Sequence, residues 1–396
     1  MAASSGGYLS RRIAYIDGLR AVAVLSVVVF HVAHWDAKLG PGVLQHAFIE
    51  GAHGVDLFFV LSGFCLSYPV LRTMHARRTA LFDIAGYAAR RVVRIVPPYY
   101  LAILVIACGL LIIDHAGWRI PEELSVARVT WFNMAKQVLF ADRRPEFLNP
   151  SFWTLAVEWR WYFIFPLVLV LWTRSMRAFI FVAACCVIAG AATRAGGFDL
   201  PILPAFMLGI VAAEIELQQR PVGRVAVLMC ILAVCLGLFL EPYYAVGYFL
   251  QQQPGWQLAA FFFVLAAGSV PSLRAALSVR PLVWIGVASY SIYLIHEPVI
   301  GALEYNTQIP PALAGAVAVI AGVAFWAIFE RPFMKNPLKG RLIAIISPLV
   351  ARFATLVGVP SSIQLSLTTG GDKPKLPDQP SSKEMQTETL LHISGA

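Results

Sequence analysis

Long apolar stretches separated by short polar and basic segments recur along this chain of 396 residues. Runs long enough to cross the roughly 30 Å hydrocarbon layer of a bilayer lie near residues 13–33, 53–71, 95–113, 152–172, 178–195, 198–217, 225–241, 256–270, 281–303 and 310–330. The pattern predicts an all-α, polytopic membrane protein, a helical bundle with about ten transmembrane helices. The composition agrees, because 59% of the residues are hydrophobic and only 13% are charged, with a mean hydropathy of +0.71.

Basic residues collect in every second segment between the apolar runs. They are densest in residues 72–94, which include the three arginines of RRVVRIVPP at 90–98. Lysine and arginine accumulate in cytoplasmic loops of membrane proteins. The alternation therefore predicts that the N- and C-termini both face the cytoplasm. It also accounts for the formal net charge of +9, so that a nucleic-acid partner is not expected.

The chain divides into three parts by composition. Residues 1–341 hold all ten apolar runs and are predicted to form the membrane domain. Residues 342–360 are apolar but include Pro348 and Arg352, which favours an interfacial helix, with an eleventh span over 342–358 as the alternative. Residues 361–396 are polar, and we expect a disordered tail there because such a composition buries too little apolar area to order itself.

The first apolar run carries two polar side chains, Arg20 and His31, in IDGLRAVAVLSVVVFHV. Eleven residues at about 100° each come to about 20° beyond three full turns, so both side chains share one face of a helix. They lie roughly 16 Å apart along its axis. Ionisable groups inside a membrane are costly and usually functional, so this spacing predicts two polar sites at different depths for a passage or a long ligand.

Three further apolar runs carry ionisable residues: Asp56 in GVDLFFVLSGF, Glu158 in SFWTLAVEW and His296 in SYSIYLIHEP. In the predicted topology the second and fourth spans begin outside and the ninth ends outside. Asp56, Glu158 and His296 are therefore expected in the outer half of the bilayer, as is His31. The six cysteines show no paired metal-ligand spacing, so no metal site is predicted.

Six motifs together resemble the acyltransferase family 3 membrane proteins: IDGLRAVAVLSVVVFH, GVDLFFVLSGF, RRVVRIVPPYY, SFWTLAVEWRWYFIFP, GVASYSIYLIHEPV and IFERP. The match extends from about residue 13 to residue 333. The resemblance implies transfer of an acyl group, most often acetyl, from an acyl-CoA substrate to a hydroxyl of a carbohydrate, such as an exopolysaccharide, an O-antigen or a lipid-linked glycan. No permanently bound cofactor is implied, and the expected location is the bacterial inner membrane.

Within this hypothesis, His31 is the predicted general base, since a neutral imidazole can take a proton from an attacking hydroxyl. Asp56 and Glu158 would orient that imidazole and stabilise its protonated form. His296 would bind the acceptor or join the polar network. The alternative for each carboxylate is an ion pair that only stabilises the fold, and for His296 it is a plain interfacial histidine.

The predicted donor contacts are arginines. Arg20 would contact the pantetheine amides or phosphates through its forked donors, and the alternative is a structural pairing with Asp17 or Glu330. Arg90, Arg91 and Arg94 would receive the nucleotide phosphates, although a bias of basic residues to the inner side also explains their presence. Two other functions stay open from the sequence: a transporter or substrate channel without acyl-transfer chemistry, and an inactive relative that acts as a scaffold.

Overall fold

The computed structural model describes residues 13–35, 47–125, 130–141, 147–192, 200–246, 249–250, 254–335 and 337–366. These residues form a bundle of helices with two short antiparallel strand pairs. The helices are α1 (Ala14–Trp35), α2 (Gly54–Arg77), α3 (Ile84–His115), α4 (Trp131–Val138), α5 (Trp153–Arg174), α6 (Met176–Ala192), α7 (Leu203–Leu217), α8 (Gly223–Tyr244), α9 (Pro254–Ser269), α10 (Pro271–Leu277), α11 (Arg280–Val287), α12 (Ser289–Asn306), α13 (Pro311–Phe325), α14 (Arg331–Met334) and α15 (Leu338–Leu356). Short 3-10 helices cover Glu50–His53, Glu122–Leu124, Pro150–Phe152 and Leu200–Ile202, and a π-helix covers Trp326–Glu330.

The apolar runs of the sequence correspond to helices. Among the described residues, seven helices are long and apolar enough to cross a membrane, and two bent helix pairs raise that number to nine. Residues 176–190 form a further apolar helix that is shorter than a full span. The predicted all-α, polytopic membrane fold is thus confirmed, whereas residues 193–195 and 198–199 of the predicted spans lie outside the described part of the chain.

One predicted span is bent, and another ends at a bend. The sequence predicts a single helix over residues 281–303, but α11 and α12 meet at Ala288 with a bend of 74°. The predicted span 256–270 corresponds to α9, which meets α10 with a bend of 100°. Close packing on α1 accompanies both bends. A Cβ atom at Gly286 would overlap the carbonyl oxygen of Asp17, and one at Gly18 would overlap the carbonyl oxygen of Leu277.

Helix α1 lies inside the bundle, in contact with α2, α10, α11, α12 and α13. Its side chains Leu19, Ala23 and Val24 are completely buried. With its backbone hydrogen-bonded within the helix, α1 can sit at depth in a membrane without exposing polar groups. Its polar side chains consequently have protein neighbours.

Helices α2 and α7 form another close crossing, at Gly63 and Gly209. A Cβ atom on Gly63 would overlap the backbone of Phe206 and approach the Cα of Gly209. Small residues allow helix backbones to approach this closely, and such contacts replace the hydrophobic driving force that membranes lack. The LSGF sequence in α2 therefore fixes where α7 crosses it.

Strand β1 (Thr79–Asp83) pairs with β4 (Ser362–Ser366) in antiparallel register, Thr79 opposite Ser366. The predicted disordered tail is therefore wrong for residues 362–366, because β1 offers backbone partners that composition alone does not reveal. Residues 367–396 of that prediction lie outside the described residues. Strands β2 (Ala245–Val246) and β3 (Phe249–Leu250) form the second pair.

Helix α15 covers most of the segment predicted to be interfacial and packs against α3. It is not one of the described helices that are apolar enough to cross a membrane. The chain then returns to the start of α3 through β4, beside Asp83. The Asp83 carboxylate caps α3 by accepting a hydrogen bond from the backbone N–H of Gly86 at 2.8 Å.

Candidate active site

His31 lies in a buried polar cluster built from three distant segments. Its Nε2 is 3.1 Å from the hydroxyl of Ser151, in the 3-10 turn that precedes α5. The Ser151 hydroxyl donates to Oε2 of Glu297 in α12 at 2.5 Å, and that oxygen is 3.4 Å from His31 Nε2. All three residues are buried. A nitrogen base, a hydroxyl and a carboxylate are thus held together inside the bundle.

A proline in α12 explains how the Ser151 turn is held. Pro298 has no N–H, so the carbonyl of Leu294, four residues earlier, lacks its helical partner. The amide of Asn149 donates to this carbonyl at 2.7 Å, and Asn149 Oδ1 accepts from the backbone N–H of Ser151 at 3.0 Å. The same N–H also lies 2.8 Å from Glu297 Oε2. Because one freed carbonyl anchors the turn, Ser151 is fixed relative to α12.

His296 joins the same cluster. Its ring centroid is 4.8 Å from that of His31, and its Nδ1 is 2.8 Å from the carbonyl oxygen of Tyr293. A carbonyl can only accept, so Nδ1 of His296 carries the hydrogen and Nε2 has the lone pair. Nε2 of His296 and Nδ1 of His31 are both buried, and neither has a hydrogen-bond partner among the described groups. Two imidazole nitrogens are therefore left for a ligand.

A cavity lies beside this cluster. Its charged lining consists of Arg20, Arg91, Arg94 and Glu158. The remaining lining residues are apolar or neutral polar: Val55, Phe58, Phe59, Leu61, Ser62, Cys65, Leu66, Ile95, Thr154, Leu155, Tyr162, Ser289, Tyr290 and Tyr293. Three guanidinium groups around one cavity are suited to an anionic ligand with phosphate or carboxylate groups.

The cavity and the His31 cluster share a wall made by Thr154 and Tyr293. The Thr154 hydroxyl lies 3.1 Å from the carbonyl oxygen of Ser151 and 2.7 Å from the hydroxyl of Tyr293. The Tyr293 hydroxyl donates to the same Ser151 carbonyl at 3.2 Å. Both side chains line the cavity, so only one layer of residues separates it from the turn that carries Ser151.

Asp56 does not contact His31, contrary to the expectation that it orients the imidazole. Its Oδ2 is 2.8 Å from Nδ1 of His53, which stacks on Trp256 with ring centroids 4.4 Å apart. His53 precedes Asp56 by three residues, and side chains at this spacing meet on one side of a helical turn. The carboxylate that supports His31 is Glu297 instead.

Glu158 does not contact His31 either. Its Oε1 accepts hydrogen bonds from Ser62 at 2.6 Å and from Tyr162 at 2.5 Å, and its carboxylate lines the cavity. Glu158 lies roughly 10 Å from Ser151 along the axis of α5, two helical turns further into that helix. That distance places it with the cavity arginines and away from His31.

The predicted arginines divide into two groups. Arg20, Arg91 and Arg94 line the cavity, and the Arg91 guanidinium lies 5.8 Å from the ring centroid of Tyr162. Arg90 is exposed, is not a lining residue, and lies 4.0 Å from the carboxylate of Asp83. The structure therefore brings Arg20 together with two of the three arginines of RRVVRIVPP.

Sequence reasoning missed Ser151, Glu297 and Asn149. Glu297 follows His296 directly in an apolar run, and an acid at membrane depth is itself a sign of function. Ser151 and Asn149 carry no such sign, because serine and asparagine are ordinary residues before a helix. In the described part of the chain, no group of three or more His, Cys, Asp and Glu side chains is arranged to hold a metal ion.

The helices and the two adjoining polar regions define a multi-pass membrane protein whose candidate active site lies among its helices. Residues 13–331 match the family described as Acyltransferase domain. The chain belongs to this acyltransferase family. No solved protein structure matches it.

Two curated relatives illustrate the similarity. O-acetyltransferase OatA of Staphylococcus aureus (strain MRSA252) is 26% identical in an alignment that covers 91% of this chain and 64% of that protein. Peptidoglycan O-acetyltransferase OatA of Listeria monocytogenes is 26% identical in an alignment that covers 84% of this chain and 56% of that protein. The chain thus spans less than two thirds of the length of these relatives.

Proposed function

We propose that this protein is a membrane O-acyltransferase that moves an acyl group, most often acetyl, from acyl-CoA to a hydroxyl of a carbohydrate. The observation that carries the proposal is the wall shared by the arginine-lined cavity and the His31 cluster. A donor held in the cavity would present its acyl group next to a buried nitrogen base. The names of the relatives as O-acetyltransferases support acetyl as the group transferred.

The donor is proposed to enter from the cytoplasmic side, where basic residues concentrate. Arg91 and Arg94 would hold the nucleotide phosphates, with Arg90 one helical turn before Arg94 on the exposed side. Arg20 would contact the pantetheine arm through its forked donors. Because Arg20 and His31 lie roughly 16 Å apart on one face of α1, a long thin donor contacting both would place its thioester near His31.

The acceptor is proposed to bind at the two imidazoles, where the thioester end of the donor would meet it. Nδ1 or Nε2 of a neutral histidine can take the proton of a hydroxyl, and His31 is the proposed base. His296 would accept a hydrogen bond from the acceptor through its free Nε2. Since His31 is near the outer end of α1 in the predicted topology, the acceptor would be a lipid-linked or exported glycan in the bacterial inner membrane.

Mass spectrometry of envelope and secreted glycans tests this proposal. A deletion strain is complemented at matched membrane levels with wild type, with His31→Ala, or with His34→Ala, an exposed histidine on the same helix. We expect an alkali-labile acyl mass to return with wild type and His34→Ala and to be absent with His31→Ala. Glycans that never differ would contradict the proposal, and substrate that crosses membranes with its mass unchanged would favour a transporter.

A further inference from the structure

The Ser151 hydroxyl has one hydrogen and two polar neighbours, so two arrangements are possible when His31 is neutral. Glu297 Oε2 is 2.5 Å away and His31 Nε2 is 3.1 Å away. Either the hydroxyl donates to the carboxylate and accepts from the imidazole, or it donates to the imidazole and accepts from a protonated carboxyl. The first arrangement leaves Nδ1 of His31 unprotonated, and the second leaves Nε2 unprotonated.

The backbone of Ser151 favours the first arrangement. Its N–H donates to the same Oε2 atom of Glu297 at 2.8 Å, so this N–H and the Ser151 hydroxyl converge on one oxygen. An ionised carboxylate only accepts hydrogen bonds, and the 2.5 Å separation of the two oxygens is in the range of a hydroxyl that donates to such a carboxylate. The geometry thus favours an ionised Glu297, with the Ser151 hydroxyl as the donor.

We propose that Glu297 and Ser151 are positioning residues that fix His31 in the Nε2–H form, so that Nδ1 is the nitrogen that takes the acceptor's proton. With its hydrogen given to Glu297, the Ser151 oxygen accepts from Nε2–H of His31. A neutral imidazole has one N–H, which leaves the lone pair on Nδ1. This Nδ1 is buried without a hydrogen-bond partner among the described groups, as expected for an atom that serves a substrate.

The chemical consequence rests on the proposed acyl transfer. The acceptor's O–H proton passes to Nδ1 while its oxygen bonds to the acyl carbon and the carbon–sulfur bond of the thioester breaks. The proton on Nδ1 then leaves with the thiolate as CoA thiol, which returns His31 to its neutral form. During this step the imidazolium keeps Nε2–H towards Ser151, with the Glu297 carboxylate 3.4 Å away to balance its charge. Glu297 therefore acts through Ser151 on His31 and touches no reacting atom.

Two substitutions of Glu297 separate its charge from its hydrogen bonding. Glu297→Gln keeps an oxygen that accepts from Ser151 but removes the charge, so the Nε2–H form of His31 should persist. Glu297→Met removes the acceptor, which frees the Ser151 hydroxyl to donate to Nε2 and should convert His31 to the Nδ1–H form. Glu330→Gln is the matched control for the spectra, since Glu330 also accepts from a serine of α12, Ser291, at 2.6 Å.

Nitrogen NMR of the full-length protein in nanodiscs, with isotope-labelled histidine, shows which ring nitrogen of each histidine carries a hydrogen. The signals of His31 are assigned by their loss in His31→Gln. We expect Nε2–H in wild type, Glu297→Gln and Glu330→Gln, and Nδ1–H in Glu297→Met. Nδ1–H in wild type, or an unchanged form of His31 in Glu297→Met, would overturn the proposal.

Turnover measurements test the contribution of the Glu297 charge separately from its hydrogen bonding. Loss of one hydrogen bond to a charged group should lower kcat of Glu297→Gln by about 10- to 150-fold, with the KM for the donor nearly unchanged. An unchanged kcat would remove Glu297 from the positioning role. If wild type transfers no acyl group at all, the proposed function fails, while the NMR result still decides which nitrogen of His31 is protonated.

Discussion

Replacement of Arg94 tests whether the cavity holds the phosphates of the donor. Arg94 is partly buried and lines the cavity together with Arg91 and Arg20. A hydrogen bond to a charged group contributes about 1.5–3 kcal/mol. Because about 1.4 kcal/mol corresponds to a tenfold change in affinity, Arg94→Met should weaken donor binding by about 10- to 150-fold. Arg94→Lys should fall between, since lysine keeps the charge but loses the planar fork.

Isothermal titration of the protein in nanodiscs, with an unreactive thioether analogue of acyl-CoA, measures this Kd without turnover. Arg177→Met is the matched control, because Arg177 is an exposed arginine at the start of α6, away from the cavity lining. Its Kd should equal that of wild type. If Arg94→Met binds the analogue as tightly as wild type, or if Arg177→Met weakens it equally, the cavity is not the donor site.

Three other substitutions give separate tests. His31→Gln should lower kcat by about 100-fold or more, the range of general base catalysis, while the Kd of the analogue measured by titration stays at the wild-type value. Normal turnover of this variant would exclude His31 as the general base. Asp56→Ala should leave kcat near that of wild type but lower the free energy of unfolding by about 1–3 kcal/mol, because buried His53 loses its hydrogen-bond partner. Turnover and thermal unfolding measure these two effects, and a loss of turnover without a loss of stability would show that Asp56 belongs to the active site. Gly63→Val should destabilise the crossing of α2 and α7 by about 1–3 kcal/mol through overpacking; an unchanged melting temperature would refute that account of the crossing.

Those features of the fold that depend on local pattern were predictable from the sequence. Apolar runs gave the helices, and the helical period placed Arg20 and His31 on one face of α1. The bends did not follow from pattern, because they accompany close packing on α1 by Gly286 and Gly18. The strand Ser362–Ser366 depends on pairing with Thr79–Asp83, far away in the chain, and no local signal specifies that pairing.

The sequence indicated polar residues of the site but not which of them contact each other. His31 and His296 do lie side by side, as polar residues at similar depth suggested. The partner of His31 was misassigned, because Asp56 has a nearer group in His53 and Glu158 has Ser62 and Tyr162. Contacts across the bundle depend on which helix faces meet, and neither depth nor spacing determines that.

The most direct test of acyl transfer through His31 uses purified protein in proteoliposomes, with labelled acyl-CoA inside and a glycan acceptor outside. CoA release and acceptor mass are measured together for wild type and His31→Gln. Acyl transfer predicts that wild type releases CoA in proportion to the acyl mass gained by the acceptor, and that His31→Gln does neither. Movement of label across the bilayer without CoA release or mass gain, or equal transfer by His31→Gln, would contradict it.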